Sequence, residues 1–396
     1  MAATTISKNR ILSIDIIRAL TMFFMIFVND LWSITHVPKW LLHTKTNEDG
    51  MGFSDVIFPL FLFIVGLSIP LAINIRKKKN DNTFQIFKHI LERTIALLVM
   101  GFFMVNYEYI NNDALPFSKY IWQLLMATAI LLIWLHYKPI KKIKKHHTIA
   151  LKSLGALILI YLAFIYKGGT LEELTWMKPH WWGILGLIGW AYFLNVIVYL
   201  ALGRNLTVLG SIFLLFNFLN VQEFGFFESL PAFKIVISAS NYALVMAGVF
   251  CTSLFLKFKE KGKIDQFLVI ISILGLLLIS YGFLIRPSFI ISKNLATPSW
   301  TSICIGIGYL TYVVLFIIID KLGYYKWAKL IKPAGTSTLT CYLMPYFIYP
   351  LIALTAFKLP EFFTAGSIGI VKSLLFSLLI ILFVGWLEKY KVRLKI

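Results

Sequence analysis

Apolar residues in this chain come in blocks about 20 residues long, separated by short stretches where charges, Gly, Pro and Asn collect. When helical, a block of that length spans the hydrocarbon core of a bilayer. The blocks run near 11–31, 54–75, 90–107, 118–136, 148–166, 183–202, 206–221, 235–256, 266–285, 300–319, 334–356 and 368–387. The 206–221 block is short and 90–107 carries Asn106, so the pattern predicts about 12 transmembrane helices, range 10–12. Each must be helical, because backbone groups in hydrocarbon find no other partner. The predicted fold class is an all-α polytopic membrane protein, with residues 1–396 forming a single transmembrane domain.

Composition points the same way. Of 396 residues, 59% are AVILMFWYC and 14% are charged, with a mean hydropathy of +0.80. Soluble chains carry about 25% charged residues, so a disordered chain is excluded and a cytosolic globule disfavoured. The net charge is +20, from 38 Lys+Arg against 18 Asp+Glu. In a soluble protein such an excess suggests nucleic acid, so the placement of the basic residues decides its meaning. About 25 of the 38 fall in alternate loops: Lys8 and Arg10, Arg76 to Lys79 with Lys88, Lys138 to Lys145, Arg204, Lys257 to Lys263, Lys321 to Lys332, and Lys389 to Lys395. The opposite loops hold Glu48, Asp49, Glu108, Asp113, Glu172, Glu173, Glu223 and Glu228. By the positive-inside rule both termini are cytoplasmic, the protein is an integral membrane protein, and no nucleic-acid partner is implied.

Other classes are set aside on motifs. The first apolar block carries Asp15 and Arg18 and lacks a small-residue cleavage site, so it reads as a retained helix. Cys251, Cys304 and Cys341 lie in predicted spans without pair spacing, so neither a disulfide framework nor a metal site is expected. There is no Walker A sequence, dinucleotide fingerprint or HExxH, which disfavours an ATP-driven pump.

Ionisable groups within spans are costly and usually functional. Asp15 and Arg18 stand i,i+3 on one helical face near the cytoplasmic end. They either anchor the helix end or present Arg18 to a phosphate. The outer end of the same span reads Val28-Asn29-Asp30, and a loop containing His36, Trp40, His43, Lys45, Glu48 and Asp49 leads to Asp55 at the start of the next span. Asn29, His43 and Asp55 thus share one helical hairpin at the outer face. A histidine near a carboxylate and an amide suits general-base work, although a solvated loop histidine is the plainer account of residue types alone. Trp176, Trp181 and Trp182 around His180 read as an interfacial aromatic belt, and Lys138 to His147 as a surface for anionic lipid.

From Ser13 to Arg76 the sequence resembles the bacterial branch of the heparan-α-glucosaminide N-acetyltransferase family of transmembrane acyltransferases. The elements that carry the resemblance are Ser13, Asp15, Arg18, Ala19 and Thr21; Val28-Asn29; His43; Asp55 to Pro59; and Phe61 to Ile69. Residues 11–76 are its most specific stretch. Sparser echoes follow at Arg93, Gln123, Lys293-Asn294-Leu295 and Ala334 to Leu339. There are departures: Ala19 replaces a common Gly, Leu124 follows Gln123 where an Arg is usual, the Trp that often follows the loop His is absent, and Met344-Pro345 replaces a Gly-His pair.

The resemblance implies that acetyl-CoA is held from the cytoplasmic side and its acetyl group crosses to an extracytoplasmic amino sugar or glycan. His43 is then the catalytic histidine, as base or acetyl carrier, Asn29 the polar residue beside the reacting carbonyl, and Asp55 either orients the imidazole or binds the amine. Asp15, Arg18, Arg93 and Gln123 are the expected acetyl-CoA contacts, and Asp30 and Asn294 the expected substrate contacts. Lys77, Lys78 and Lys79 either meet CoA phosphates or serve topology alone. Arg286 and Lys293 share a loop with Asn294 and either contribute to the site or are solvated loop residues. A bacterial inner membrane, lipid neighbours and a possible homodimer complete the expectation, with no metal. Two alternatives stay open: an O-acetyltransferase of an envelope polysaccharide, and a secondary transporter, for which no internal repeat is visible.

Overall fold

The computed structural model describes residues 11–138, 140 and 144–396. Lys8, Arg10, Lys141 and Lys142 of the inner basic segments lie outside the described residues. The helices are α1 (Leu12–Asp30), α2 (Ser54–Lys78), α3 (Thr83–Glu108), α4 (Lys119–Trp134), α5 (Lys145–Phe164), α6 (Gly183–Leu202), α7 (Leu206–Gln222), α8 (Ala239–Glu260), α9 (Ile264–Leu284), α10 (Pro298–Phe316), α11 (Lys332–Thr336), α12 (Thr338–Leu343), α13 (Pro345–Leu354) and α14 (Gly366–Lys389). Among the described residues, nine helical segments are long and apolar enough to cross a bilayer, and α4, α7 and the α12–α13 pair are shorter apolar segments. Together they fall on the twelve apolar blocks. The protein is an all-α polytopic membrane protein.

Three details depart from the block pattern, each for a local reason. Helix α3 begins at Thr83 rather than near 90, because Asn82 and Gln85 form a reciprocal capping box, with bonds of 2.8 and 2.9 Å. Its first turns carry charge and so escape a hydrophobicity reading. Asn106 stays inside α3 because its side-chain amide meets the Lys178 peptide, donating to the carbonyl at 2.8 Å and accepting from the N–H at 3.0 Å. The 334–356 block is not one helix. It breaks at Ser337, whose backbone (φ −128°, ψ 43°) is not helical, and again before Pro345, which has no N–H to donate.

Helix α8 is the most buried element, and α5, α9 and α14 form the rim. Close approach of α2 and α8 depends on Gly66 and Gly248. A Cβ on Gly66 would collide with the Val245 carbonyl, and one on Gly248 with the Phe63 carbonyl. Small residues at a helix crossing let membrane helices reach contact distance, where dispersion replaces the hydrophobic effect. Helix α1 is fixed at its start by Asp320, whose carboxylate accepts from the N–H groups of Leu12 and Ser13 at 3.0 Å each. A π-turn over Ile317–Lys321 at the end of α10 presents that carboxylate, which meets the positive end of the α1 dipole. Ile11 and Lys395 line the same cavity mouth, so the two described ends of the chain lie on one face, as the charge pattern requires.

Candidate active site

The loop between α1 and α2 is held in place along its length. Thr35 N–H donates to Thr364 O at 2.8 Å and Gly366 N–H to Thr35 O at 2.9 Å, tying the loop to the start of α14. Phe53 N–H donates to Trp40 O at 2.7 Å, and Ser54 Oγ to Leu41 O at 2.6 Å. Its central stretch interlocks with the loop between α9 and α10. Gly50 N–H donates to Ile291 O at 2.9 Å, Ser292 Oγ to Thr46 O at 2.9 Å, and Asn294 Nδ2 to Thr46 Oγ1 at 3.2 Å. Asp49 accepts from Arg286 Nε and from Ile291 N–H, both at 2.8 Å. Burial works against the Asp49 charge, but the Ile291 N–H and the Arg286 guanidinium hold its carboxyl below the usual carboxylate range.

This scaffold brings His43 to Asp55. His43 Nδ1 lies 2.7 Å from Asp55 Oδ1, and the other carboxylate oxygen accepts from Thr44 N–H and Gly52 N–H at 3.0 Å each. Gly52 is needed there, since a Cβ would collide with the Leu42 carbonyl. Trp300 Nε1 of α10 donates to Asp55 O at 3.2 Å and fixes the start of α2 from behind. The carboxylate is 1% exposed while the imidazole is 43% exposed. An ionised carboxylate only accepts, so the tautomer that satisfies this contact has its proton on Nδ1 and its acceptor lone pair on Nε2. Lys293 Nζ stands 3.1 Å from Nδ1 and 3.5 Å from Nε2. Burial pulls its ammonium below the usual lysine range, and the Asp55 carboxylate opposes that.

At the end of the bundle where α1 begins, a cavity of about 860 Å³ opens among α1, α2, α3, α6, α11 and α12, within the range of ligand pockets. Arg18, Arg76, Lys78, Arg93, Lys259 and Lys395 contribute six basic side chains to its lining, and Asp15 is the one acidic side chain among the described residues there. Arg18 donates to Ser68 Oγ at 2.7 Å and to Asp15 at 3.4 Å. Arg93 lies over the Tyr192 ring at 4.8 Å, with its Nε buried and unbonded among the described residues. Gly335 packs against the Asp15 carbonyl, which accounts for the Ala-Gly pair opening α11.

One helical face of α1 runs toward the other site. Asp15, Arg18, Met22 and Met25 all line the cavity at three- and four-residue spacing. Asn29 is the next position on that stripe, about 6 Å further along the axis, and it is exposed. The structure thus groups Asp15, Arg18 and Arg93 at the cavity, and His43, Asp55 and Asn294 at the outer loops. Gln123 is buried on α4 and does not line the cavity. Asp30 is buried and bonded to the C-terminal helices. It accepts from Tyr349 Oη and Lys372 Nζ at 2.8 Å each, and from Ser373 Oγ. Sequence reasoning gave no site role to Ser68, Tyr192, Lys259 or Lys395, and it left Lys293 between a site contribution and a solvated loop residue. Ser68 lay within the recognised motif; the others come from spans that no local pattern links to α1.

Residues 10–180 match the family model described as heparan-alpha-glucosaminide N-acetyltransferase, catalytic. The heparan-alpha-glucosaminide N-acetyltransferase of Mus musculus is 29% identical over 107 residues, which are 26% of this chain and 15% of the mouse protein. That of Homo sapiens is 29% identical over 104 residues, 25% of this chain and 14% of the human protein. The chain thus matches a small part of these relatives' length. The family-model match holds α1 to α5, including Asn29, His43 and Asp55, and ends before α6 and the Lys293 loop.

Proposed function

We propose that this protein is a membrane acetyltransferase that passes an acetyl group from acetyl-CoA, held in the inner cavity, to the amine of a glucosamine-type sugar on the outer face. The observation that carries this reading is the α1 stripe, which leads from a cationic cavity past Met25 to Asn29, in the hairpin that also holds the His43–Asp55 pair. The likeness to glucosaminide N-acetyltransferases supports it. A bacterial cytoplasmic membrane is the proposed location, with the basic face inside.

In this mechanism the CoA phosphates meet Arg18, Arg93 and the lysines at the cavity mouth, where charge-assisted bonds to phosphate are strong. The pantetheine arm runs along Met22 and Met25 and brings the thioester toward Asn29. The acceptor amine, once deprotonated, attacks the carbonyl carbon from within about 3–3.5 Å. His43 Nε2 takes its proton, and Asp55 holds the ring and stabilises the imidazolium that forms. The Asn29 amide donates to the tetrahedral oxyanion, a contribution of about 3–4 kcal/mol in comparable sites. The C–S bond then breaks and the CoA thiolate leaves toward the inner side.

The test is to incubate protein purified in micelles with acetyl-labelled acetyl-CoA and glucosamine, and to identify the product as an amide or an ester. N-acetylation with stoichiometric CoA release is expected. An ester product overturns the acceptor assignment, and uptake of sugar into proteoliposomes without CoA overturns the enzyme.

A further inference from the structure

The mechanism above assigns nothing to Lys293, yet its side chain reaches the His43 ring. Its Nζ lies 3.1 and 3.5 Å from the two ring nitrogens, so the ammonium stands beside the ring rather than on one lone-pair axis. It is not a loosely solvated lysine. The residues flanking it are pinned: Ile291 and Ser292 bond to Gly50 and Thr46, and Ser292 N–H donates to Thr297 Oγ1 at 3.1 Å. Lys293 reaches His43 from a loop 250 residues away that meets it only in the folded protein.

The charges around the ring can be counted. Asp55 brings one negative charge from α2 and Lys293 one positive charge from the α9–α10 loop. Arg286 and Asp49 pair with each other. Cys304 on α10 is a buried free cysteine. Lys45 and Glu48 on the His43 loop are exposed. A carboxylate alone beside an imidazole favours the charged imidazolium, which cannot act as a base. An ammonium on the same ring opposes that.

We propose that Lys293 is a positioning residue for the transfer: its ammonium balances the Asp55 carboxylate across the His43 ring, so the imidazole rests neutral with Nε2 open to the acceptor's proton. This rests on the reading of His43 as the base.

The test is kcat/KM against pH for the wild type, Lys293→Met, Lys293→Arg and the double variant Asp55→Asn/Lys293→Met, each checked by thermal unfolding in micelles. In Lys293→Met the acidic limb moves to higher pH by about one to two units, so the rate on the acidic side of the limb falls about 10- to 100-fold and recovers as the pH rises. Lys293→Arg keeps the wild-type limb, and the double variant returns the limb toward its wild-type position at a lower plateau. The KM for acetyl-CoA is unchanged throughout. A Lys293→Met profile lowered uniformly with no displacement of the limb overturns the role and leaves a structural one. If Lys293→Met does not fold, a Lys293→Arg profile displaced upward overturns it equally. Wild-type protein with no transfer to any amino sugar sinks the proposed function instead, so the two failures are distinguishable.

Discussion

Two carboxylates sit at the outer ends of adjacent helices, Asp30 closing α1 and Asp55 opening α2, and both are almost fully buried. Their partners differ. Asp30 is closed in by Tyr349, Lys372 and Ser373 from the C-terminal helices, and Lys372 also donates to Ser33 Oγ at 2.7 Å. Both its oxygens meet a neighbouring helix, Oδ1 on α13 and Oδ2 on α14, so its charge holds α1, α13 and α14 together. Asp55 has two backbone donors and an imidazole whose far side is open. A buried charge with rigid, complete partners is a fastener. The same charge behind a half-exposed titratable ring can serve chemistry, because the ring can take up and release a proton while the carboxylate stays fixed.

Substitutions sharpen that contrast in descending order of effect. His43→Ala is expected to cost about 10³-fold or more in kcat, the upper part of the range for a general base, with a smaller loss of stability, because Asp55 loses the imidazole but keeps its two backbone donors. Asp55→Asn is expected to cost about 10²- to 10³-fold, since the amide offers one acceptor oxygen in place of two and no charge to stabilise the imidazolium. Asp30→Ala should do the reverse. It leaves Lys372 without its counter-ion, at a cost of about 3–5 kcal/mol of stability, read as a large fall in melting temperature, while turnover per folded molecule suffers far less than in Asp55→Asn. Equal effects of the two aspartates on turnover would break the contrast.

Smaller effects belong to the cavity and the loop. Arg18→Ala should raise the KM for acetyl-CoA about tenfold or more, the equivalent of one bond to a charged group at about 1.5–3 kcal/mol, with kcat nearly unchanged. Arg286→Ala should cost at most about 1 kcal/mol, as for half-exposed ion pairs. The Asp49 carboxyl is held below its ordinary value, so its contribution is present above about pH 3.9 and is lost as pH falls through the folded value. Acid should therefore loosen the loop, measured as faster proteolysis near Asp49, and Arg286→Ala should blunt that dependence.

The sequence made each span legible on its own, because a helix in hydrocarbon must satisfy its backbone locally and so writes a continuous apolar block. It also placed Asn29, His43 and Asp55 together, since one hairpin carries all three. It could not distinguish Asp30 from Asp55 as site residues. The groups that close Asp30 lie more than 300 residues away, at Tyr349, Lys372 and Ser373, and the order in which spans pack leaves no periodic trace. Lys293 is 250 residues from His43 and reads as an ordinary loop lysine until α10 is set behind α2. From sequence Gln123 groups with the cavity residues, whereas it is buried on α4 and does not line the cavity. The broken 334–356 block was equally hidden, because Ser337 is compatible with a helix until its neighbours pack.

The most direct measurement is acetyl transfer by purified protein from labelled acetyl-CoA to glucosamine, run side by side for wild type and His43→Ala. Labelled N-acetylglucosamine from the wild type and none above background from His43→Ala is the predicted result. No CoA release and no acetyl-CoA binding by well-folded wild-type protein, with every amino sugar tried, would contradict it.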